Sequence, residues 1–288
     1  GLVGSEMCIR DSECIATKLL AEKELIGFEE IDFKTSFNTN FGFDVSLLET
    51  FFPLSFGGSI AIPTPEQLIG PTEFVDFLET SKVNLLQGTP GFIRNFVTIL
   101  EKEELKNVNV SLKTICVGGE ALPLQLIKEV EEKLPAVQLN NHYGPTETVI
   151  DAIALPNIKA EDEGKIGKPL PDVAAYVLNE FGCVQPIGVP GEICLGGNTL
   201  ALGYLNRETL TKESFVVSSF RNASQMYKSG DLGYWTPAGE LVFLGRKDKQ
   251  VKIRGYRIEL GELKTALLGL DEIQEAEALT IKNQAGEN

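Results

Sequence analysis

Within the segment NNHYGPTET, Asn140 to Thr148, lie four side chains suited to nucleotide chemistry. Asn141 offers an amide that can read a base edge, Tyr143 an aromatic face, Thr146 a hydroxyl, and Glu147 a carboxylate for a hard cation. Gly144 and Pro145 break any helix or central strand, so these groups are predicted to sit on a fixed turn. The apolar run Ala136 to Leu139 comes just before it. A polar turn after such a run is where an open α/β sheet presents its ligands, at the carboxyl end of a strand. Taken alone, YGPTE also suits an ordinary surface turn.

Four more segments carry candidate chemistry. FDVS, Phe43 to Ser46, puts the Asp44 carboxylate at an expected strand end, where it suits either a pocket or a helix cap. YKSGDL, Tyr227 to Leu232, sets Asp231 after an expected glycine turn. A carboxylate there can accept two hydrogen bonds from a ribose diol, although SGD is also a common turn composition. GRKDKQVKIRG, Gly245 to Gly255, supplies Arg246 and Lys252 for an anion, with Asp248 between them; a basic edge strand is the plainer alternative. GEICLGGNTLALGYL, Gly191 to Leu205, lacks Walker spacing and a following Lys-Ser/Thr, so it reads as β structure rather than a phosphate cradle. His142 is either a pocket wall or a satisfied, partly buried ring.

The elements that must position these groups follow from the hydrophobic pattern. Helical stretches are expected at Ala16–Leu25, Asp44–Phe56 with Asp44 as N-cap, Pro71–Lys82, Gly91–Leu100 and Pro123–Leu134. Strands are expected at Ser59–Pro63, Val83–Leu86, Leu112–Val117 and Val137–Leu139. This alternation implies an α/β fold with a parallel sheet covered on its faces, over residues 13–163. From 164 to 247 short apolar runs (VAAYVL, GEICLGG, ELVFLG) alternate with Gly and Pro, predicting a small β-barrel-like subdomain or distorted sheet. Residues 248–288 read as the start of an α+β C-terminal domain: a basic strand, a helix at Leu260–Leu270 and a strand at Ala276–Ile281. The first twelve residues look foreign to the rest and do not read as a signal peptide.

Composition narrows the class. A net charge of −15 leaves no basic excess for nucleic acid or an anionic membrane. No apolar run approaches the ~20 residues of a membrane span. Cys8, Cys14, Cys116, Cys183 and Cys194 are scattered, with no CxxC pair, which suits a reducing cytoplasm. A single histidine excludes a multi-histidine metal site.

Taken in order, FDVS, NNHYGPTET, GEICLGGNTLALGYLNR, YKSGDL and GRKDKQVKIRGYRIELGEL resemble the adenylation domains of nonribosomal peptide synthetases, within the acyl-adenylate-forming superfamily. The resemblance implies a ligase that uses ATP and Mg2+ to activate an amino acid as an aminoacyl-adenylate. The acyl group then passes to a phosphopantetheine thiol on a carrier protein, and condensation domains of the same assembly line are further implied partners. It implies catalytic roles for Thr146 at the α-phosphate and Glu147 at magnesium. Asn141 and Tyr143 would meet adenine, Asp231 would hold the ribose with Arg246 assisting, and Asp248 would be the hinge of the C-terminal domain. Asp44 would pair with the substrate ammonium. Val45, Leu48, Gln87, Cys116, Gly118, His142, Ile150 and Asp151 would complete the substrate pocket.

The polar Gln87, His142 and Asp151 suggest a polar or basic amino acid, because a buried carboxylate needs a partner. Related acyl-CoA synthetases and D-alanine carrier-protein ligases are the alternatives, and a fatty acid would leave Asp44 unpaired. A non-catalytic fragment is a further alternative. The family's phosphate loop and C-terminal catalytic lysine are not found in the chain, which predicts an internal fragment that is inactive alone.

Overall fold

The structure is a computed structural model that describes residues 8–9, 12–27, 33–100, 111–220, 224–248, 250–253, 256–268, 270, 273 and 275–279. Its first half alternates strand and helix: β1 (Cys8–Ile9), α1 (Ser12–Ile26), β2 (Lys34–Ser36), α2 (Ser46–Ser55), β3 (Ser59–Ala61), α3 (Pro65–Ile69) and α4 (Pro71–Thr80). There follow β4 (Leu85–Gly88), α5 (Pro90–Ile99), β5 (Thr114–Val117), α6 (Leu124–Lys133) and β6 (Gln138–Tyr143). Local chemistry marks the helix starts. Thr64 caps α3 in a reciprocal box with Gln67, and Thr89 caps α5 ahead of Pro90.

Strands β3, β2, β4, β5 and β6 lie side by side in that order, all parallel. Residue alternation along them divides the core into two layers. Leu86, Ile115, Val117 and Leu139 face a cluster built from α4, α5 and α6, including Phe74, Phe96 and Ile127. Leu85 and Cys116 face the other way, against Leu19 of α1 and Leu48 and Phe52 of α2. The expected covered parallel sheet is therefore present.

The second half adds β7 (Ile153–Leu155), β8 (Lys165–Pro169), β9 (Val173–Leu178), β10 (Gly191–Gly197), β11 (Gly203–Tyr204), α7 (Glu208–Ser214) and β12 (Phe215–Val217). After these come β13 (Gln225–Trp235), β14 (Leu241–Arg246), β15 (Gln250–Ile253), β16 (Tyr256–Glu259) and α8 (Leu260–Leu268). From β6 onward the pairing turns antiparallel, through β7, β8, β14, β13 and β10 to β9, so one twelve-stranded sheet crosses both halves. The barrel-like closure expected for 164–247 does not form among the described residues. Both edges of β8 are taken, by β7 and β14, so β9 has no strand to close against.

Other expectations shift. The chain pairs Cys8–Ile9 with Gly203–Tyr204, and α1 begins at Ser12. Strand β4 sits two residues later than expected, and β6 continues through the polar Asn140–Tyr143. The basic segment folds as the β15–β16 hairpin. Residues 275–279 carry no strand, while Thr280 and Ile281 lie outside the described residues.

Candidate active site

Strand order places the connections after β2 and after β4 side by side, because β2 precedes β3 yet β4 lies on β2's other flank. Such a reversal opens a crevice at the carboxyl ends of the strands. The segment after β2 is tied to β4 by Asn38, whose Nδ2 donates to Gln87 O at 2.9 Å. It is tied to α2 by Glu49, whose carboxylate accepts from Asn38 N, Thr39 N and Thr39 Oγ1 at 3.1, 2.9 and 2.5 Å. Beyond this clamp an Asn40-centred turn carries Asp44, half-buried. Asp44 is not the expected N-cap: Val45 holds that position, with no side-chain cap bond, and Asp44 contributes its carbonyl to Leu47 N. Nor does Asp44 end a strand, since seven residues of turn and loop separate Ser36 from it; the Gly42-containing turn bends the chain first.

The expected pocket residues meet at these strand ends. Gln87 is in register with Cys116, and Cys116 with Asn140, on the face that packs α1 and α2. Gly118 follows β5, close enough to β6 that an added Cβ would lie 3.0 Å from His142 O. Leu48, Cys116 and Ile150 share one apolar cluster, with Val45 against it. Asp151 reaches the site through backbone that few sequences adopt: Val149 and Ile150 have φ of 58° and 73°. Positive φ at β-branched residues is strained and must be held by its surroundings. Gly144 does part of that holding, since a Cβ there would lie 2.4 Å from Asp151 Cα.

Asp151 also corrects an expectation. It does not wait for a cationic substrate, because α1 supplies its partner: Lys18 Nζ lies 3.5 Å from Asp151 Oδ2, and His142 Nδ1 lies 3.1 Å from the same oxygen. Lys18 also pairs with Glu22, whose Oε1 is 3.7 Å from His142 Nδ1. Burial opposes charge on Asp151, but Lys18 and then His142 outweigh it and hold its pKa at about 2. Burial likewise opposes an imidazolium at His142, yet Cys116, Glu22 and Asp151 outweigh it and raise the pKa well above the ordinary value. Glu22, His142 and Asp151 could together ligate a metal ion, but the Lys18 ammonium already sits among them.

On the other flank of β6 the nucleotide candidates form one network. Tyr143 OH donates to Asp231 Oδ2 at 2.5 Å, and Arg246 Nη1 donates to Asp231 Oδ1 at 2.8 Å. Arg246 also grips Asp248 through Nε and Nη2 at 2.7 and 2.6 Å. Burial first, then Asp231, raises the Tyr143 pKa well above its ordinary value, so the phenol stays a donor. Asp231 lies within strand β13 rather than after a turn. Ser229, Gly230 and Asp231 bulge opposite the single residue Ile193, and Ser229 Oγ donates to Ile193 O while accepting from Asp231 N. Gly230, at φ 75°, leaves room for Arg246, whose Nη2 a Cβ would approach to 2.7 Å. Lys252, expected beside Arg246, has its side chain outside the described residues.

The expected turn splits into two parts. Asn141, His142 and Tyr143 are on β6, whereas Thr146 and Glu147 open a 3₁₀ turn at Thr146–Thr148. Asn141 donates from Nδ2 to Lys165 O at 2.9 Å, which leaves Oδ1 as an acceptor. Thr146 is exposed and Glu147 buried, with Tyr204 OH donating to Glu147 Oε1 at 2.6 Å. One fixed carboxylate is a suitable protein share of a magnesium site, whose other ligands are water and phosphate oxygens.

Lys18, Glu22, Glu49, Ser229 and Tyr204 were not anticipated. Only the Lys18–Glu22 spacing of four carried a signal, and that spacing ordinarily marks an exposed helical pair. No helix of the described residues is long and apolar enough to cross a membrane.

Comparison with known proteins agrees with this geometry. The family model described as AMP-binding enzyme matches residues 19–205. Gramicidin S synthase 2 of Aneurinibacillus migulanus is 37% identical over 248 residues, covering 86% of this chain and 6% of that protein. Tyrocidine synthase 3 of Brevibacillus parabrevis is 39% identical over 237 residues, 82% of this chain and 4% of that protein. The chain thus spans only a few per cent of the length of these curated relatives. Among solved structures, holo-PA1221, an NRPS protein containing adenylation and PCP domains, superposes with a TM-score of 0.80 at 26% identity, over 89% of this chain and 44% of that one. The chain belongs to the family of AMP-binding enzymes, in the group that includes the adenylation domains of nonribosomal peptide synthetases.

Proposed function

We propose that this chain serves the ATP-dependent activation of an amino acid as its aminoacyl-adenylate, for transfer to a phosphopantetheine thiol on a carrier protein. The observation that carries this reading is the arrangement about β6. Gln87, Cys116 and His142 lie on one side, toward the ends of β4, β5 and β6, where the Asn38–Gln87 bond ties in the loop that leads to Asp44, and the Tyr143–Asp231–Arg246 network lies on the other. A site with two such lobes suits two ligands that must meet end to end.

In the first step a substrate carboxylate oxygen attacks the α-phosphorus of ATP. The new O–P bond forms as the bond to the bridging oxygen breaks, and pyrophosphate leaves with the electron pair. Two anions must approach in line, so alignment and charge neutralisation matter more than proton transfer. Asp44 takes the substrate ammonium, which fixes the carboxylate end. Asn141 accepts from the adenine amino group through Oδ1, and the Tyr143 ring packs against the base. Asp231 accepts from the ribose hydroxyls, its oxygens already oriented by Tyr143 and Arg246. Thr146, exposed at the head of its turn, donates to the α-phosphate. Glu147, held by Tyr204, is the residue for Mg2+, which when bound would neutralise phosphate charge. In the second step the thiol attacks the acyl carbon and AMP leaves.

The AMP-binding family match and the synthetase relatives support this chemistry, and the structure of the adenylation–PCP protein suggests the carrier partner. A cytoplasmic site of action accords with the scattered cysteines, of which Cys14, Cys116 and Cys194 are buried and reduced. The test is amino-acid-dependent ATP–pyrophosphate exchange by the enzyme carrying this chain, with and without Asp44→Ala. Loss of exchange in the variant is expected, because the desolvated ammonium loses its partner. Equal exchange by the variant, or equal use of the des-amino acid, would overturn the reading.

A further inference from the structure

The buried stripe of α2 holds a single charged residue. Ser46, Leu48, Glu49, Phe52 and Pro53 are the buried positions, a spacing at which a covered helix ordinarily carries apolar side chains. Glu49 is 0% exposed, and burying a carboxylate is costly unless its oxygens are bonded. Both are. Oε2 accepts from Asn38 N and Thr39 N, and Oε1 accepts from Thr39 Oγ1. All these donors belong to the segment after β2. Packing along α2 therefore does not account for a carboxylate at this place, whereas the fixing of that segment does.

The same bonds close a loop. Thr39 and Glu49 are its ends, and Asp44 lies midway between them. Inside it the chain runs through local turns. Gly42 N donates to Asn40 Oδ1 at 2.8 Å, Phe43 N to Asn40 O at 2.9 Å, and Leu47 N to Asp44 O at 2.9 Å. Such turns fix the shape of the loop but not its place. Its place is set at the base, where Glu49 holds it to α2 and Asn38 Nδ2 donates to Gln87 O at 2.9 Å, at the end of β4. A charged side chain that must meet its ligand within about 0.5 Å needs a support of this kind.

We propose that Glu49 and Asn38 are positioning residues: together they set where Asp44 stands relative to β4, and so how strongly the enzyme demands an ammonium group on its substrate. This rests on the reading of Asp44 given above. It adds two residues that need not touch the substrate and that act through the loop between them.

The experiment is pyrophosphate exchange by the enzyme carrying this chain. The standard protein amino acids are screened, and the best of them and its des-amino acid become the two probes. The readout is the ratio of their kcat/KM values. Glu49→Ala releases the base of the loop and should lower that ratio by roughly tenfold or more, since a displacement of about 1 Å is enough to cost as much. Asn38→Ala should lower it in the same direction, and KM for ATP should stay within about twofold of wild type in both. Glu49→Gln retains the acceptor for Asn38 N and Thr39 N and should keep the ratio. A variant that merely folds less well loses activity with both probes equally. An unchanged ratio in Glu49→Ala, or in Asn38→Ala where Glu49→Ala does not fold, overturns the proposal. A ratio lost in Glu49→Gln as well would mean that charge rather than bonding acts, and overturns it too. A wild-type enzyme that uses the des-amino acid as well as the amino acid refutes the role of Asp44 itself, which separates failure of that reading from failure of this one.

Discussion

Replacing Glu49 by glutamine should stabilise the protein, and more so as pH rises. Glu49 is fully buried on α2, and burial pushes its pKa from the ordinary 4.5 to about 7 despite the bonds from Thr39 and Asn38 that work the other way. Below pH 4.5 the carboxyl is protonated in folded and unfolded chains alike, and it costs nothing. Between 4.5 and 7 the unfolded chain releases its proton while the folded chain keeps it, so stability falls as pH rises through that window. At about 1.4 kcal/mol per pH unit the whole loss is about 3 kcal/mol, and it levels off above pH 7. Glutamine cannot ionise and keeps the geometry. Its carbonyl can replace Oε2 as acceptor for Asn38 N and Thr39 N, while its amino group donates to Thr39 Oγ1 after that hydroxyl turns. Urea unfolding of both proteins at pH 5.5 and pH 8 measures the effect. The advantage of Glu49→Gln should grow by about 2 kcal/mol between the two. A difference that does not change with pH would refute the burial argument.

Two further substitutions probe the site's architecture. Asp231→Asn leaves one amide oxygen to serve both Tyr143 and Arg246, and should weaken ATP binding by roughly 1.5–3 kcal/mol, read by calorimetry; unchanged affinity would remove Asp231 from the ribose role. Gly144→Ala forces a Cβ to within 2.4 Å of the Asp151 backbone and should lower the melting temperature, at a cost of about 1–3 kcal/mol or more. Gly91→Ala in α5 meets nothing within 4 Å and should raise stability by about 0.5–1 kcal/mol, so equal effects from the two alanines would contradict the packing account.

Much of the fold was legible because each parallel strand is a short apolar run between helical periods, as at Ile115–Val117 flanked by α5 and α6. Boundaries failed where polar residues continue a strand. Asn140 reads as loop, yet it is buried within β6 because its Oδ1 accepts from Gln138 Nε2 and Asn157 N. Asp231 reads as turn because glycine precedes it, but long-range bonds from Ser229 to β10 hold it as a bulge inside a strand. The nucleotide side of the site was visible as motifs. The pocket's charge balance was not, because Lys18 and Glu22 are 120 residues or more from their partners His142 and Asp151 along the chain and look like a solvent-facing helical pair. Glu49 was hidden although its partners are near in sequence, because only the folded loop after β2 brings the Asn38 and Thr39 amides onto its carboxylate.

The central claim is that a substrate carboxylate oxygen becomes bonded to the α-phosphorus of ATP. The enzyme carrying this chain, given an amino acid labelled with 18O in its carboxylate, ATP and hydroxylamine as the acyl acceptor, tests it by mass spectrometry of the nucleotide product. Hydroxylamine attacks the acyl carbon, so the oxygen that made the bond stays on phosphorus. The account predicts AMP carrying one 18O atom, formed together with pyrophosphate. Unlabelled AMP, or ADP with the label in inorganic phosphate, would contradict it.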